Sequence, residues 1–404
     1  MACRVLHVIP AVAPRYGGPS AATFGLCHAL EAAGVEVVVA TTDADGPGRL
    51  AVDTGSLQKY LGVPVIFFPR TFSESFKWSG PLSAWVHANA GAFDLVHIHS
   101  VFSHSSIAAS RACRAARVPY FVRPLGHLDP WSLNRHRLRK QVLMRLGAGE
   151  MLRRAVAIHY TSDAERTLAE SAVPSLAPGV VVPLGIDDQC FAAAGRTLAA
   201  NDRYVLALSR LDVKKGLDLL IRAFHALAAG GECRGWSLVI AGDGDASYVA
   251  ELARLAADGP ARGHIRFAGW VSGEARRALV EGAGLFALPS HQENFGLAVA
   301  EAMAGGVPVI VSPAVNLAND ILAEGAGWVA PRDQASWEQA LRLVLNDPAE
   351  LERRGRRARS AAERYRWPAV ARQLVEVYDN VLRRRPEEQP RRSPAVPARQ
   401  AARP

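Results

Sequence analysis

The chain has 404 residues, a length that suits two ordinary domains, and its hydrophobic content of 49% is typical of a protein with sizeable folded cores. Its five cysteines are widely spaced and form no C-x-x-C pair, which disfavours a disulfide framework or a zinc ribbon and favours a reducing, cytoplasmic compartment. No apolar run is long enough to cross a bilayer.

The net charge of +9 is concentrated in two stretches of the chain. Residues 135–154 hold seven Lys or Arg and one Glu, and residues 383–404 hold seven Arg and two Glu. These stretches contribute +6 and +5, so that the rest of the chain carries −2. Because the remaining body is close to neutral and no RNP sequence or zinc finger occurs, we expect no nucleic-acid partner.

Short apolar strands alternate with helices from the amino terminus onward. A helix is predicted over residues 20–33, and strands are predicted at residues 5–9, 35–40, 95–99, 120–123 and 155–160. The pattern restarts in the second half of the chain, with a helix from about residue 217 and strands at residues 204–208, 236–241, 265–268, 285–288 and 307–311. Such alternation favours parallel sheets covered by helices on both faces.

This restart predicts two doubly wound domains, one over residues 1–185 and one over residues 186–366. If the domains face each other, the carboxyl ends of their strands border a central cleft, the usual ligand site of such sheets. A further helix is predicted from residue 367, and we expect residues 367–385 to pack back toward the N-terminal domain. Residues 386–404 are basic, rich in Pro, Ala and Arg, and predicted to be disordered.

The sequence H-Q-E-N-F-G-L-A-V-A-E follows a predicted buried strand and opens a helix. Glu293 lies in the loop, and Glu301 lies about one and a half turns into the helix. The helix start exposes backbone amides that attract an anion, above all phosphate, at Phe295, Gly296 and Leu297. Since two carboxylates beside a phosphate site can accept hydroxyls, the segment predicts a site for a sugar attached to a nucleotide. The alternative is a helix start with one solvated and one structural Glu.

Together with five other motifs, this segment resembles the retaining nucleotide-sugar glycosyltransferases of glycosyltransferase family four. The supporting motifs are Y-G-G-P-S at residues 16–20, R-P-L-G-H-L-D-P-W at 123–131, V-P-L-G-I-D at 182–187, S-R-L-D-V-K-K-G at 209–216 and A-G-D-G at 241–244. The resemblance covers nearly all of residues 1–382. It implies the α/β GT-B fold, in which two Rossmann-like doubly wound domains face a central cleft.

The resemblance implies a donor site in the second domain. Glu293 would orient the transferred sugar through its hydroxyls as the catalytic carboxylate, Glu301 would bind the ribose, and the amides of the helix start would meet the diphosphate. Arg210 and Lys215 would bind the donor phosphates, because a nucleotide diphosphate leaving group must be neutralised by a metal or by fixed cations and dipoles. A solvated basic turn is the alternative for these two residues.

Three glycines are further candidates for the donor site, because a loop without Cβ atoms can approach a ligand closely. Gly17 and Gly18 lie between the first predicted strand and its helix, where a plain strand-to-helix turn is the alternative. Gly242 is expected to let the backbone approach the nucleoside.

Two D-x-D sequences, at residues 43–45 and 243–245, are candidates for a metal site. Neither belongs to the motif set of the resembled family, and short Asp-Gly turns are common. We therefore expect no metal site at either sequence, a metal-independent reaction, and no cofactor besides the UDP- or GDP-sugar that serves as donor.

The resemblance places the acceptor on the first domain. His127 is the candidate catalytic group there, a donor to the sugar or the leaving phosphate, with a hydrogen-bonded structural His as the alternative. Arg123, Asp129 and His99 are candidate acceptor contacts near strand ends. His97 and His99 alternate onto one strand face, where a structural pair is favoured over a zinc site.

The basic stretch at residues 135–154 is predicted to be helical. Its charges suit contact with anionic lipid or a lipid diphosphate acceptor at the inner face of the membrane. However, the basic residues are spread around the helix rather than gathered on one face. A solvated helix is therefore the alternative to peripheral membrane contact.

These motifs predict a retaining hexosyltransferase that moves a sugar from a UDP- or GDP-sugar to a glycan or lipid-linked glycan, in surface polysaccharide biosynthesis. No residue identifies itself as a covalent nucleophile, which favours front-face displacement with the leaving phosphate taking the acceptor proton. A non-catalytic nucleotide-sugar-binding or scaffold protein of the same fold is one alternative, and a nucleotide-sugar epimerase is another. The residues leave the sugar, the base and the acceptor undetermined.

Overall fold

The computed structural model describes residues 3–192, 203–233 and 235–384. These residues form two compact units: the first combines the chain up to Gly185 with the segment from Trp367 onward, and the second runs from Ile186 to Arg366. The tail predicted to be disordered, residues 386–404, lies outside the described residues. Each unit is built around one main sheet.

A mostly parallel sheet forms the centre of the first unit. Its strands and those of a small hairpin are β1 (Arg4–Ala11), β2 (Glu36–Thr42), β3 (Ala44–Asp45), β4 (Gly48–Arg49), β5 (Leu57–Tyr60), β6 (Val63–Phe68), β7 (Leu95–His99), β8 (Tyr120–Arg123), β9 (Ala157–Tyr160) and β10 (Gly179–Val181). The sheet order is β10-β9-β8-β7-β1-β2-β6-β5, with β5 antiparallel to β6 and the other pairs parallel, while β3 and β4 form the hairpin. Every residue of β7 and β8 is buried, as expected for strands covered on both faces.

Seven helices of the first unit precede the second unit in the chain. They are α1 (Gly18–Ala32), α2 (Gly80–Asn89), α3 (His104–Ala115), α4 (Pro130–Asn134), α5 (Arg137–Leu143), α6 (Gly149–Arg154) and α7 (Asp163–Ala172). Neighbouring residues of β1 belong to different hydrophobic cores. Leu6 lies in the core that contains Val96 and Ile107, whereas Val5 lies in the core that contains Phe24. The alternation of side chains along a strand thus produces one core on each face of the sheet.

The second unit has a six-stranded sheet in which all pairs are parallel. Its strands are β11 (Arg203–Leu208), β12 (Trp236–Ala241), β13 (Ile265–Gly269), β14 (Leu285–Leu288), β15 (Val309–Val311) and β16 (Gly327–Val329). Its helices are α8 (Leu217–Ala229), α9 (Ala246–Ala257), α10 (Gly273–Glu281), α11 (Leu297–Ala304), α12 (Ala318–Ala323), α13 (Gln334–Leu345) and α14 (Pro348–Ala362). The strand order β13-β12-β11-β14-β15-β16 changes direction between β11 and β14. Such a switch point is where open parallel sheets bind ligands.

The last helix, α15 (Trp367–Arg383), belongs to the first unit. Val370, Leu374 and Tyr378 recur at four-residue intervals and join the core that holds Phe24. A Cβ atom added at Gly185 would lie 2.1 Å from the Trp367 ring, so the glycine is needed where this helix begins. Among the described residues, no helix is both long and apolar enough to cross a membrane.

The structure departs from the predicted elements in two respects. The helix predicted over the basic stretch is broken: His136 has a left-handed φ of 54° between α4 and α5, and a π-helical turn, Met144–Ala148, contains Gly147 with φ 147°. The strands β3, β4, β5, β6, β10 and β16 were absent from the predicted set. Two of these, β10 and β16, have three residues each, too few to show a periodic pattern.

Candidate functional site

Three loops of the second unit leave neighbouring strands at the carboxyl edge of its sheet. They follow β11, β12 and β14, which lie side by side in the order β12-β11-β14. The predicted donor residues of this unit lie on these loops and on α11, which the last loop enters. The topology therefore brings residues that are up to about 90 positions apart to one edge of one sheet.

The loop that leads into α11 is fixed by backbone hydrogen bonds at Glu293. The Glu293 amide donates to Ala314 O (2.9 Å), and its carbonyl accepts from the Asn316 amide (3.0 Å). Gly296 has a left-handed φ of 83°, and Ala300 N–H donates to Gly296 O (3.0 Å) as the helix begins. The amides of the residues before Ala300 have no carbonyl one turn earlier in the helix to receive them. The structure thus places Phe295, Gly296 and the start of α11 at Leu297 at the sheet edge.

Lys215 and Glu293 form an ion pair between two of these loops. Both side chains are mostly buried, with exposures of 14% and 18%. The turn that carries Lys215 lies close to the loop after β14, because a Cβ at Gly216 would lie only 2.4 Å from Pro289 O. The structure therefore joins the cation predicted to bind phosphate to the carboxylate predicted to bind the sugar.

Arg210 lies at the end of β11 and is exposed. The backbone around it is held on the neighbouring loop, where the Ser209 amide donates to Ala241 O (3.1 Å) and the Leu211 amide donates to Asp243 O (2.8 Å). Its guanidinium forms no hydrogen bond or ion pair with any residue in the described part of the chain. Arg210 is thus an uncompensated cation at the switch point of the sheet.

Glu301 forms an ion pair with Arg276 of α10, a residue that the sequence analysis missed. Burial opposes the charge of Arg276, but the charge and hydrogen bond of Glu301 outweigh it and raise the pKa of the guanidinium. Strand order explains the contact, because α10 runs from the edge strand β13 across to β14 and so passes α11. No motif or spacing in the sequence signals this pairing.

Gly242 has a structural reason to be glycine that is independent of any ligand. Its φ is 134°, and a Cβ there would lie 1.8 Å from Ser209 O. A Cβ at Gly244 would similarly lie 1.9 Å from Leu211 O. Both glycines let the loops after β11 and β12 pack against each other. The approach of Gly242 to a nucleoside stays a prediction.

The carboxylates of the two D-x-D sequences are engaged in contacts with other residues of their own units. Asp245 caps α9 by accepting from the Ser247 amide (3.0 Å), and Asp243 accepts from the Gly244 amide (2.8 Å). Asp43 accepts from the Arg70 amide (2.7 Å), and Asp45 lies 3.6 Å from the Arg15 guanidinium. The contacts of Asp245 and Asp243 are those of a helix cap and a turn, whereas Asp43 and Asp45 connect loops that are distant in the chain.

In the first unit, Gly17 and Gly18 connect a short 3-10 turn to α1. Gly17 adopts φ 70° and ψ −138°, a combination that favours glycine. A Cβ atom at Gly17 would meet nothing within 4 Å, so the surface next to this turn is open. Conformation therefore explains the first glycine, and the open side is compatible with the predicted ligand contact.

His127 is half-buried in a strained loop after β8. Leu125 and Gly126 both have left-handed φ values, 57° and 74°. The Gly126 amide donates to Glu165 Oε1 (2.8 Å), and His127 Nδ1 lies 3.4 Å from Ser100 Oγ. Glu165 therefore positions the loop that presents His127.

Glu165 is a second residue that the sequence analysis missed, although a signal was present. It lies three residues after Ser162 in the S-x-x-E pattern of a capping box, and Ser162 Oγ accepts its amide (3.1 Å). Its other carboxylate oxygen accepts from the amide and the hydroxyl of Thr161, each at 2.7 Å. Burial raises the pKa of Glu165, although these hydrogen bonds favour the ionised form.

Replacing Glu165 by Gln is expected to destabilise the first unit by about 1–3 kcal/mol. The Gln amide nitrogen cannot accept the N–H and O–H donors that face the carboxylate, so at least one buried donor loses its partner. Thermal unfolding would measure the loss, with Glu170→Gln, an exposed position on the same helix, as the matched control. Equal stability of both variants would contradict the role given to Glu165.

The candidate acceptor contacts Arg123, Asp129 and His99 are buried. Arg123 is 2% exposed and His99 is fully buried, so the structure does not support direct contact with an acceptor for either. Asp129 caps α4 by accepting from the Trp131 amide (2.8 Å). Their position near strand ends suggested acceptor contacts, but the packing of neighbouring elements covers these side chains.

His99 belongs to a buried cluster with His7, His97 and His159. His7 Nδ1 and His99 Nε2 lie 3.0 Å apart, and His159 Nδ1 and His97 Nε2 lie 3.2 Å apart. Within the described residues, His7, His97 and His99 are the one group of three possible metal ligands whose nitrogens lie within 4.8 Å of one another. Burial, with the nearby Arg123 charge, lowers the pKa of His7 and of His159 to about 3. The cluster is thus a neutral, hydrogen-bonded part of the core, and the adjacent cation disfavours a metal ion.

Stability of the first unit is expected to fall as the pH drops below about 6.5, the pKa of an unfolded imidazole. The folded pKa values are lowered, to about 3 for His7 and His159, so stability is complete above pH 6.5 and lost as the pH falls toward 3. Each histidine contributes up to about 1.4 kcal/mol per pH unit in that window. Hydrogen exchange of peptides covering β7 and β8 between pH 7 and pH 5 measures this slope.

The matched variants for this pH dependence are His7→Phe and His264→Gln. His7→Phe removes one buried imidazole and is expected to make the slope shallower, whereas His264 is exposed in the second unit and its replacement is expected to leave the slope unchanged. Protection that stays constant between pH 7 and pH 5 would overturn the prediction.

Two family models match the chain. The model described as glycosyl transferases group 1 matches residues 193–361, and the glycosyl transferase 4-like domain matches residues 17–185. The two matches do not overlap, and together they cover the main body of the chain.

Curated relatives extend this similarity. A glycogen synthase of Mycobacterium tuberculosis is 34% identical over 221 residues, which is 54% of this chain and 52% of the relative. The chain thus spans about half the length of that relative. The GDP-mannose:cellobiosyl-diphosphopolyprenol alpha-mannosyltransferase of Xanthomonas oryzae is 27% identical over 394 residues, which is 94% of this chain and 97% of the relative.

Solved structures show the same fold. The Anabaena protein HepE, crystallised with UDP and glucose, superimposes with a TM-score of 0.73 at 20% identity. The match covers 94% of this chain and 100% of that chain. The predicted GT-B fold with two Rossmann-like domains is therefore confirmed.

Proposed function

Since the chain belongs to the group 1 glycosyltransferase family, we propose that it transfers a sugar from a UDP- or GDP-sugar to a glycan or lipid-linked glycan. The transfer retains the anomeric configuration and needs no metal. One observation carries this proposal: Arg210, Lys215, Glu293 and the start of α11 converge at the switch point of the second unit's sheet.

The diphosphate of the donor would be bound by cations and amides alone. Arg210 is exposed and uncompensated, Lys215 is close to the loop after β14, and the start of α11 presents backbone amides that its N-cap residue, Gly296, has no side chain to cap. A guanidinium binds phosphate oxygens in a fork, whereas an ammonium acts as a point charge. Together they would offset the charge of the leaving nucleotide without a metal ion.

The ion pair between Lys215 and Glu293 would open when the donor binds, and each residue would then take a new partner. A bound diphosphate would attract Lys215, and Glu293 would then be free to accept hydroxyls of the transferred sugar. Glu301, paired with Arg276, would accept the ribose hydroxyls while its charge stays compensated. The donor contacts of Gly17 and Gly18 and the catalytic role of His127 stay predictions from the resemblance. Displacement would occur on the front face, with the leaving phosphate taking the acceptor proton.

The acceptor is proposed to be a growing surface glycan. The Xanthomonas relative is named for a diphosphopolyprenol-linked acceptor, and its match extends over nearly the whole chain. None of the five cysteines forms a disulfide, which fits a reducing cytoplasm. A lipid-linked acceptor would be met at the inner face of the membrane, through the basic residues 135–154.

A donor screen followed by a turnover assay tests the proposal. A specific nucleotide sugar should raise the apparent stability, by about 2.7 kcal/mol at a concentration 100-fold above its Kd. The same donor should release UDP or GDP in the presence of EDTA. Binding without release for any donor and acceptor would instead indicate a scaffold protein, and interconversion of the donor sugar without release would indicate an epimerase.

A further inference from the structure

A row of large apolar side chains is exposed along the basic stretch of the first unit. Leu138, Val142 and Leu146 follow one another at four-residue intervals and are 79%, 52% and 60% exposed. Side chains at this spacing share one side of a helix. Single exposed apolar residues are common, but a contiguous row indicates an interaction surface.

The opposite side of this segment is anchored, so the row is held outward. Leu133 and Met144 pack against the core of the first unit. Lys140 Nζ donates to Ser132 O and lies 5.3 Å from the centre of the Phe102 ring. The Arg111 guanidinium donates to Leu146 O (2.8 Å), which fixes the backbone at the end of the row.

The charge around the row is strongly positive and uncompensated. The single acidic residue of the stretch, Glu150, is paired with Arg114 of α3. The other charged side chains of the stretch form no ion pair with any described residue; besides Lys140 they are Arg135, Arg137, Arg139, Arg145, Arg153 and Arg154. Each of these six arginines is exposed.

A cavity of about 510 Å³ adjoins the end of the row. It is lined by Met144, Arg145, Gly149, Glu150, Arg153 and Arg154. Three guanidinium groups around one concave surface suit a phosphate group. Gly149 allows its backbone to lie close to that of Met144, because a Cβ at this position would lie 2.8 Å from Met144 O.

We propose that residues 135–154 dock the protein on an anionic lipid bilayer, with Leu138, Val142 and Leu146 inserted at the boundary between headgroups and acyl chains. The arginines bind lipid phosphates, and the cavity takes one headgroup. An apolar row flanked by basic residues is typical of segments that lie in the membrane interface. A polyanion such as nucleic acid would need the charges but would leave the apolar row in water. The inference deepens the proposed function by naming a partner surface, and it can be measured without turnover.

Vesicle co-sedimentation of the full chain tests the docking surface. We expect binding to vesicles of phosphatidylcholine with 30% phosphatidylglycerol to be at least tenfold stronger than binding to pure phosphatidylcholine. The triple variant Leu138→Ser, Val142→Ser, Leu146→Ser is expected to lose at least tenfold in binding to the anionic vesicles. The variant Arg137→Ala, Arg139→Ala, Arg145→Ala is expected to bind both kinds of vesicle equally weakly.

The matched control is Leu343→Ser, which removes a side chain of the second unit that is 65% exposed. It should bind vesicles as the wild type does. Hydrolytic release of UDP or GDP from a soluble donor, with water in place of the acceptor, should be unchanged in all these variants, because none of the substituted residues belongs to the donor site of the second unit. This readout separates a failure of docking from a failure of the proposed enzyme. Wild-type binding by the triple Ser variant would overturn the proposal, and so would equal wild-type binding to neutral and anionic vesicles.

Discussion

Replacing Glu293 by Gln is expected to lower kcat/KM for sugar transfer by about 10- to 100-fold while leaving the affinity for the free nucleotide diphosphate equal or higher. A charge-assisted hydrogen bond to a sugar hydroxyl contributes about 1.5–3 kcal/mol, and the neutral amide forfeits most of it. The same change releases Lys215 from its ion pair, so that its charge is available to phosphate. Steady-state kinetics and calorimetry with UDP and GDP measure the two effects separately.

Glu338→Gln is the matched control for this experiment. Glu338 is also a carboxylate in an ion pair of the second unit, with Arg342 on the same helix, but it lies outside the loops of the sheet edge. Its replacement should change neither turnover nor nucleotide affinity. If Glu293→Gln weakens UDP and GDP binding as strongly as it slows transfer, the proposal that Lys215 leaves Glu293 to bind the diphosphate is wrong.

The second large effect is expected at the phosphate site. Lys215→Ala should weaken binding of the nucleotide diphosphate by about 1–3 kcal/mol, or roughly 5- to 150-fold in Kd. The loss should exceed that of Arg210→Ala, because removal of Lys215 also leaves the Glu293 charge uncompensated next to the phosphates. Calorimetric titration at two salt concentrations measures it, since attraction between charges weakens as salt screens them.

Two further variants test whether the position of the Lys215 charge, and its pairing with Glu293, cause the loss. The double variant Lys215→Ala, Glu293→Gln should bind the nucleotide better than Lys215→Ala alone, because the uncompensated carboxylate is gone. Lys214→Ala removes an equal charge one position away in the same turn and should change Kd by less than about twofold, the scale of a surface substitution. A loss at Lys214 as large as the loss at Lys215 would mean that only the net charge of the turn matters.

Much of the fold could be predicted from short apolar runs. The predicted bounds of β7, β8, β12 and β14 equal those in the structure, because parallel strands covered on both faces are mostly apolar and are followed here by turn residues. The antiparallel pair β5 and β6 at the edge of the first sheet was not predicted. β5, Leu57–Tyr60, has no buried residue and therefore no apolar pattern.

Some features of the candidate site could likewise be predicted from the sequence, and others could not. Arg210, Lys215 and Glu293 follow strands that the sequence itself predicts, so their gathering at one sheet edge follows from parallel topology. The partnership of Arg276 with Glu301 depends on where a crossover helix passes, which no local pattern encodes. The surroundings of Arg123 and His99 likewise depend on residues far away in the chain. His99 Nε2 lies 3.0 Å from His7 Nδ1 of β1, and the titratable groups near Arg123 include Glu165 of α7 and Tyr378 of α15.

By itself, the sequence determined the alternating strand and helix order, the restart in the second half, the family and the loops that carry the donor motifs. These are properties of local periodicity and of residue types at fixed spacing. Tertiary structure alone decided which cations face which carboxylates, which strand-end side chains are covered, and which side of the basic stretch carries exposed leucines. Each of these depends on which distant elements come to lie next to each other, and so on contacts between residues that are far apart in the chain.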